Sequence, residues 1–249
     1  MRNDDVIVFT GPTIRQVEAE EFLTARYCPP AKQGDIYRAY IKYQPSIMAL
    51  IDGNFENTPS PWHKEILFVM EQGVHVYGAS SMGALRAAEL SMYGMIGIGE
   101  IFKAYHSKRI EDDDEVALIH GPSKLGYPNL SEAMVNIRKT LESAYFDQII
   151  GHRLYVEALN FSKRSFYADR NYGALIDHFS KNVLFEEEIT AFGIWLKCHR
   201  RDQKKDDAII LLKLLAKKRI NSFPLSVNYK LEKTVFWNEM CKQVEAEPV

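Results

Sequence analysis

The residue type and setting best suited to covalent chemistry belong to Ser81. It follows Val74-His75-Val76-Tyr77-Gly78-Ala79-Ser80 and precedes Met82-Gly83-Ala84-Leu85-Arg86-Ala87-Ala88-Glu89. That is a strand-type run, a group of small residues, a serine and then a helix-forming segment. Small residues at 78, 79 and 83 let the backbone turn sharply, as a nucleophile elbow requires. A serine just before a helix shares its first N–H groups with a developing oxyanion, for which Met82 and Gly83 are the nearest donors. Ser81 occupies the small-x-Ser-x-Gly register better than Ser80. The same pattern also suits a serine that only caps the helix, and the residues alone leave both readings open.

A serine nucleophile needs a base. Trp62-His63-Lys64-Glu65 opens another helical stretch and offers His63 and Lys64, and a Ser-Lys pair is one variant of triad logic. Plain exposure on a helix surface accounts equally well for both side chains, and packing accounts for Trp62. Asp52 ends a strand-type run, where a carboxylate either orients Lys64 or holds a turn. No Gly-x-x-x-x-Gly-Lys loop or His-Glu-x-x-His motif is present, which withdraws the usual support for a P-loop or a thermolysin-like zinc site. The acidic run Glu111 to Glu115 reads as a solvated loop, because metal sites draw carboxylates from several elements. Arg86 and Glu89, three apart on a helix, are expected to pair. His75 and His120 alternate with apolar neighbours and read as strand histidines. Neither a metal nor a cofactor is expected.

Composition narrows the partners. The 249 residues carry 31 basic against 33 acidic side chains, a formal charge of -2, so no global field favours nucleic acid or an anionic membrane. A hydrophobic content of 46% suffices for a full core. The apolar run near the N-terminus is too short for a secretory signal, and no later run reaches membrane-spanning length. The three cysteines are widely separated and in no metal-ligand spacing. Reduced thiols in a cytoplasmic protein are expected.

The elements that must position these residues follow from periodicity. Val6 to Thr10, Ser46 to Asp52 and Val74 to Gly78 read as strands, with Val116 to His120 a weaker fourth. Ser60-Pro61 reads as an N-cap and first helical residue, opening a helix to about Gln72 that Gly73 ends. Gly34-Asp35-Ile36-Tyr37-Arg38 reads as a turn opening a helix. Strands alternating with helices imply βαβ units, and so an α/β, Rossmann-like, open and mainly parallel sheet with helices on both faces. Ligands of such sheets bind beyond the carboxyl ends of the strands. Gly11-Pro12, Asp52, the start of the Pro61 helix and Ser81 all fall there. From Ser131 onward the pattern turns helical, notably over Ser131 to Glu142 and Asp207 to Arg219, and the charged run Arg200 to Asp207 reads as a solvated linker or helix start. The division drawn is a core over 1–140 and a helical C-terminal region over 141–249.

Several ordered motifs resemble the TfuA family. They are Phe9-x-Gly11-Pro12, Gly34-Asp35-x-Tyr37-Arg38-Ala39, Leu50-Ile51-Asp52-Gly53, Trp62 to Leu67, Gly73 to Val76, Ser81 to Glu89, Glu111 to Ala117 and Ser131 to Arg138, so the likeness spans roughly Val6 to Thr140. Ser80 departs from the family pattern, where alanine is more usual. The resemblance implies a protein that works beside YcaO-type cyclodehydratases in peptide backbone thioamidation. It implies a hydrolase that cleaves the C-terminal thiocarboxylate of a ThiS-like sulfur-carrier protein, releasing hydrosulfide, and that aids engagement of the precursor peptide. The implied catalytic pair is Ser81 and Lys64, with Met82 and Gly83 at the oxyanion and Gly11, Pro12 and Asp52 along a groove for the carrier's tail. A noncatalytic docking protein that joins carrier, peptide and YcaO is the alternative.

Overall fold

The structure, a computed structural model, describes residues 5–54, 58–217 and 224–246. Along the chain come β1 (Val6–Phe9), α1 (Gln16–Ala19), β2 (Arg26–Cys28), α2 (Asp35–Tyr43), β3 (Ile47–Leu50), α3 (His63–Glu71), β4 (His75–Ala79), α4 (Met82–Leu90), β5 (Ile96–Ile98) and α5 (Glu100–His106). Then follow α6 (Met134–Phe146), α7 (His152–Arg164), α8 (Tyr172–Phe179), α9 (Glu186–His199), α10 (Gln203–Lys217) and α11 (Val235–Ala246). By contact they divide into two compact units, one of residues 1–110 with 205–249 and one of residues 111–204. These are groupings by contact, whereas the division drawn at residue 140 is one of sequence pattern.

In the first unit all five strands pair in parallel in the order β2-β1-β3-β4-β5. Alternation of side chains along a strand sends residues to opposite faces. Ile7, Phe9, Met48, Leu50 and Val76 pack with Ile36, Ile66, Val69, Met70 and Ala87 of α2, α3 and α4. Val6, Val8, Ile47, Ala49, Tyr77 and Ala79 face Ala19 of α1 and Ala208, Leu211, Leu212 and Leu215 of α10. The expected α/β, Rossmann-like parallel sheet with helices on both faces is therefore observed, and the second face is covered largely by a helix from far along the chain. Asp207, fully buried at the start of that helix, accepts the backbone N–H groups of Glu100 and Ile101 at 3.0 and 2.8 Å, satisfying the first turn of α5.

Three local expectations need correction. Val116 to His120 forms no strand; His120 makes only an isolated bridge to Asn129. The N-cap of α3 is Trp62, not Ser60, because the Glu65 carboxylate reaches back to the Trp62 N–H at 3.1 Å. The predicted helix over Asp207 to Arg219 begins earlier, at Gln203, and residues 218 and 219 lie outside the described residues. No helix among the described residues is long and apolar enough to cross a membrane.

The second unit is helical, and α6, α7, α8 and α9 share a core of Ile137, Leu141, Leu154, Leu175, Phe179 and Phe192. Its acidic segment is not the solvated loop that consecutive acids suggest. Lys163 bridges Asp112, Asp114 and Glu115, Arg138 grips Glu115 through two 2.8 Å bonds, and the buried Arg170 holds Asp114. Burial works to raise the Asp114 carboxyl, but its bonds to Lys163 and Arg170 outweigh that and hold it below the ordinary range.

Candidate functional site at the carboxyl edge of the sheet

Because the strands are all parallel, the loops after β1, β3 and β4 emerge on one edge, the expected position for a ligand site in a sheet of this order. Asp52, just past β3, is 1% exposed and closes this edge. Its Oδ2 accepts the backbone N–H groups of Gly11 at 2.8 Å and Thr13 at 3.0 Å, and its Oδ1 accepts the Thr13 hydroxyl at 2.6 Å. The loop after β1 is thus wrapped around a carboxylate of its own chain. Phosphates seek such clustered N–H groups, and here an internal anion already fills them, which speaks against nucleotide binding through Gly11 and Asp52.

Ser81 stands where the sequence places it, between β4 and α4. Two close approaches make the turn. Gly83 packs on β3, where a Cβ would lie 1.8 Å from the Leu50 carbonyl oxygen, and a Cβ on Gly78 would lie 2.1 Å from the Gly83 oxygen. Ser80 takes the left-handed conformation at φ 69, unusual for a non-glycine residue, and so carries the bend. Ser81 is the N-cap of α4 by position but not by chemistry, since it makes no side-chain capping bond. Among the described residues its Oγ has no hydrogen-bond partner. The Ser80 hydroxyl is turned to Thr13 Oγ1 at 3.4 Å. Neither serine is doing what a helix cap does.

The proposed donors and bases are placed as follows. The Gly83 N–H donates to Ile51 O at 3.2 Å and the Gly11 N–H donates to Asp52, so both are engaged within the chain. Pro12 has no N–H to offer. Met82 is the first residue of α4 and packs over Gly53, where a Cβ would meet its Cγ at 2.7 Å. His63 Nε2 lies 2.7 Å from Glu89 Oε2, which also receives Arg86 Nη1 at 2.8 Å, the expected Arg86 and Glu89 pair. Glu89 is eight residues beyond Ser81, about 12 Å along a helix at 1.5 Å per residue, so His63 is committed to the far end of α4. Burial works to raise the Glu89 carboxyl, and the bonds from His63 and Arg86 bring it below the ordinary value.

Lys64 is engaged elsewhere as well. Its Nζ donates to Glu232 O at 3.0 Å and Thr234 Oγ1 at 3.1 Å, in the segment leading into α11. That segment is anchored by Trp237, which stacks edge-on against Tyr37 at 5.6 Å and packs on Phe68 at 5.3 Å. The structure brings together Gly11, Asp52 and the turn of Ser81, and it joins Lys64 to the C-terminal segment and His63 to Glu89. Sequence reasoning missed Thr13, which touches both Asp52 and Ser80; its position directly after Gly11-Pro12 was the available signal.

No curated protein matches the chain. Residues 52–171 match the model of the family described as TfuA-like protein, a stretch that includes Asp52, His63, Lys64 and Ser81 to Gly83 and leaves Gly11 and Pro12 before it. Over that segment, the chain is similar to the TfuA-like family.

Proposed function

We propose that this protein is an accessory enzyme of YcaO-dependent peptide backbone thioamidation that hydrolyses the C-terminal thiocarboxylate of a ThiS-like sulfur carrier. The observation that carries this reading is the Ser81 hydroxyl, held at a strand-to-helix turn without capping the helix it precedes. Ser81 Oγ attacks the thiocarboxylate carbon, its proton passing to the base. The C–S bond breaks with its electron pair on sulfur, and hydrosulfide leaves beside the partner YcaO-type cyclodehydratase. Water then cleaves the resulting ester, giving a carrier carboxylate and free Ser81. Hydrosulfide is a far better leaving group than an amine, so modest oxyanion stabilisation suffices. In this scheme Lys64 is the base, and it serves only after leaving Glu232 and Thr234. The reading includes cytoplasmic residence, because the carrier and peptide substrates are cytoplasmic.

The engagement of Lys64 with the C-terminal segment favours a second reading, in which the protein docks carrier, precursor peptide and YcaO without catalysis. Hydrosulfide release from a thiocarboxylated carrier separates the two. Loss of release in Ser81→Ala, with complex formation kept, supports the hydrolase. Release unchanged by that substitution supports docking.

A further inference from the structure

We infer that Thr13 is a positioning residue for the turn that presents Ser81, acting through the hydroxyl of Ser80; this rests on the hydrolase reading. Thr13, Ser80 and Asp52 are all buried, and their side chains form one chain of contacts: Ser80 Oγ to Thr13 Oγ1 at 3.4 Å, and Thr13 Oγ1 to Asp52 Oδ1 at 2.6 Å. Donor counting fixes the direction of that chain. Asp52 meets two backbone N–H groups and one hydroxyl, a set that asks it only to accept. A hydroxyl has one proton, so Thr13 spends its proton on Asp52 and can only accept from Ser80. Ser80 in turn spends its proton on Thr13.

The consequence falls on the neighbouring residue. Ser80 holds the left-handed backbone bend, and Ser81 is the next residue, so whatever fixes Ser80 fixes the direction in which Ser81 leaves the strand. The Thr13 to Asp52 bond is short and its partners are tied to β3 and to the loop after β1. The Ser80 to Thr13 link is long for a hydroxyl pair and is the adjustable one. The serine at 80 therefore gives this turn a tether. Among the described residues no other side chain bonds to the Ser80 hydroxyl.

The test compares Thr13→Val, which keeps shape and removes the hydroxyl, with Thr13→Ser, Ser80→Ala and the Thr13→Val/Ser80→Ala pair, in hydrosulfide release from a thiocarboxylated carrier. Thr13→Val and Ser80→Ala should each lower kcat about tenfold with KM unchanged, the pair should be no worse than either alone, and Thr13→Ser should restore the rate. Unchanged kcat in Thr13→Val, losses that multiply in the pair, or a failure of Thr13→Ser to rescue would overturn the proposal. Ser81→Ala run alongside tells this failure from that of the hydrolase reading. If that variant releases hydrosulfide at the full rate, the hydrolase reading falls. The tether is then decided by the amide-proton shifts of Ser80, Ser81 and Met82, which Thr13→Val must move and Thr13→Ser restore; unmoved shifts overturn it.

Discussion

Gly83, two residues past the candidate nucleophile, sits so close to Leu50 that a Cβ would lie 1.8 Å from the Leu50 carbonyl oxygen. The first turn of α4 is thereby seated on the end of β3, and the Gly83 N–H completes the contact on Ile51 O at 3.2 Å. Backbone cannot yield as a flexible side chain does. Gly83→Ala should therefore cost about 3 kcal/mol of unfolding free energy, toward the upper end for overpacking, measured by urea denaturation. A loss well under 1 kcal/mol would mean that α4 can slide on β3, and the fixed geometry of the Ser81 turn would go with it.

The buried Glu65 makes a pH prediction. Burial pushes its carboxyl up from the ordinary 4.5, only partly offset by bonds from the N–H groups of Gly34, Trp62 and Tyr37. A carboxyl raised in the folded state binds more protons there than in the unfolded chain, so its contribution to stability falls as pH rises above 4.5 through the folded value. The stability of the wild type minus that of Glu65→Gln should accordingly be most favourable below the ordinary carboxyl value of 4.5 and shrink as pH rises toward neutrality. A difference that grew with pH would contradict this assignment.

Lys64 and Thr234 supply a prediction about the base. If Lys64 must leave the C-terminal segment to act, weakening that hold raises activity. Thr234→Val removes one of its two bonds, and hydrosulfide release should rise about threefold to tenfold, the worth of one net hydrogen bond. A fall in release would show instead that the bond positions Lys64 for its task.

Much of the frame was legible because it rests on local pattern. Val6–Phe9, Ile47–Leu50 and His75–Ala79 are apolar runs bounded by turn residues, and each forms a strand of the expected parallel sheet. The outer strands Arg26–Cys28 and Ile96–Ile98 are three residues each, too short for any period to show. The run Arg200 to Asp207 reads as solvated charge. Yet Lys204 is buried with its Nζ on Val116 O at 2.9 Å, and Asp207 caps α5, through partners 88 and 107 residues away. The position of Ser81 was legible for the same reason as β4, being a local strand-to-helix pattern. Thr13 was not, because its partners Asp52 and Ser80 are 39 and 67 residues distant. Nor was the destination of Lys64, whose partners lie 168 and 170 residues on.

The most direct test of the account is hydrosulfide release from a thiocarboxylated ThiS-like carrier by the wild type, Ser81→Ala and Lys64→Ala. The account predicts that Ser81→Ala abolishes release and that Lys64→Ala lowers it by about 100-fold or more, the usual scale for losing a general base. Equal release by all three proteins would contradict it and leave docking as the function of this chain.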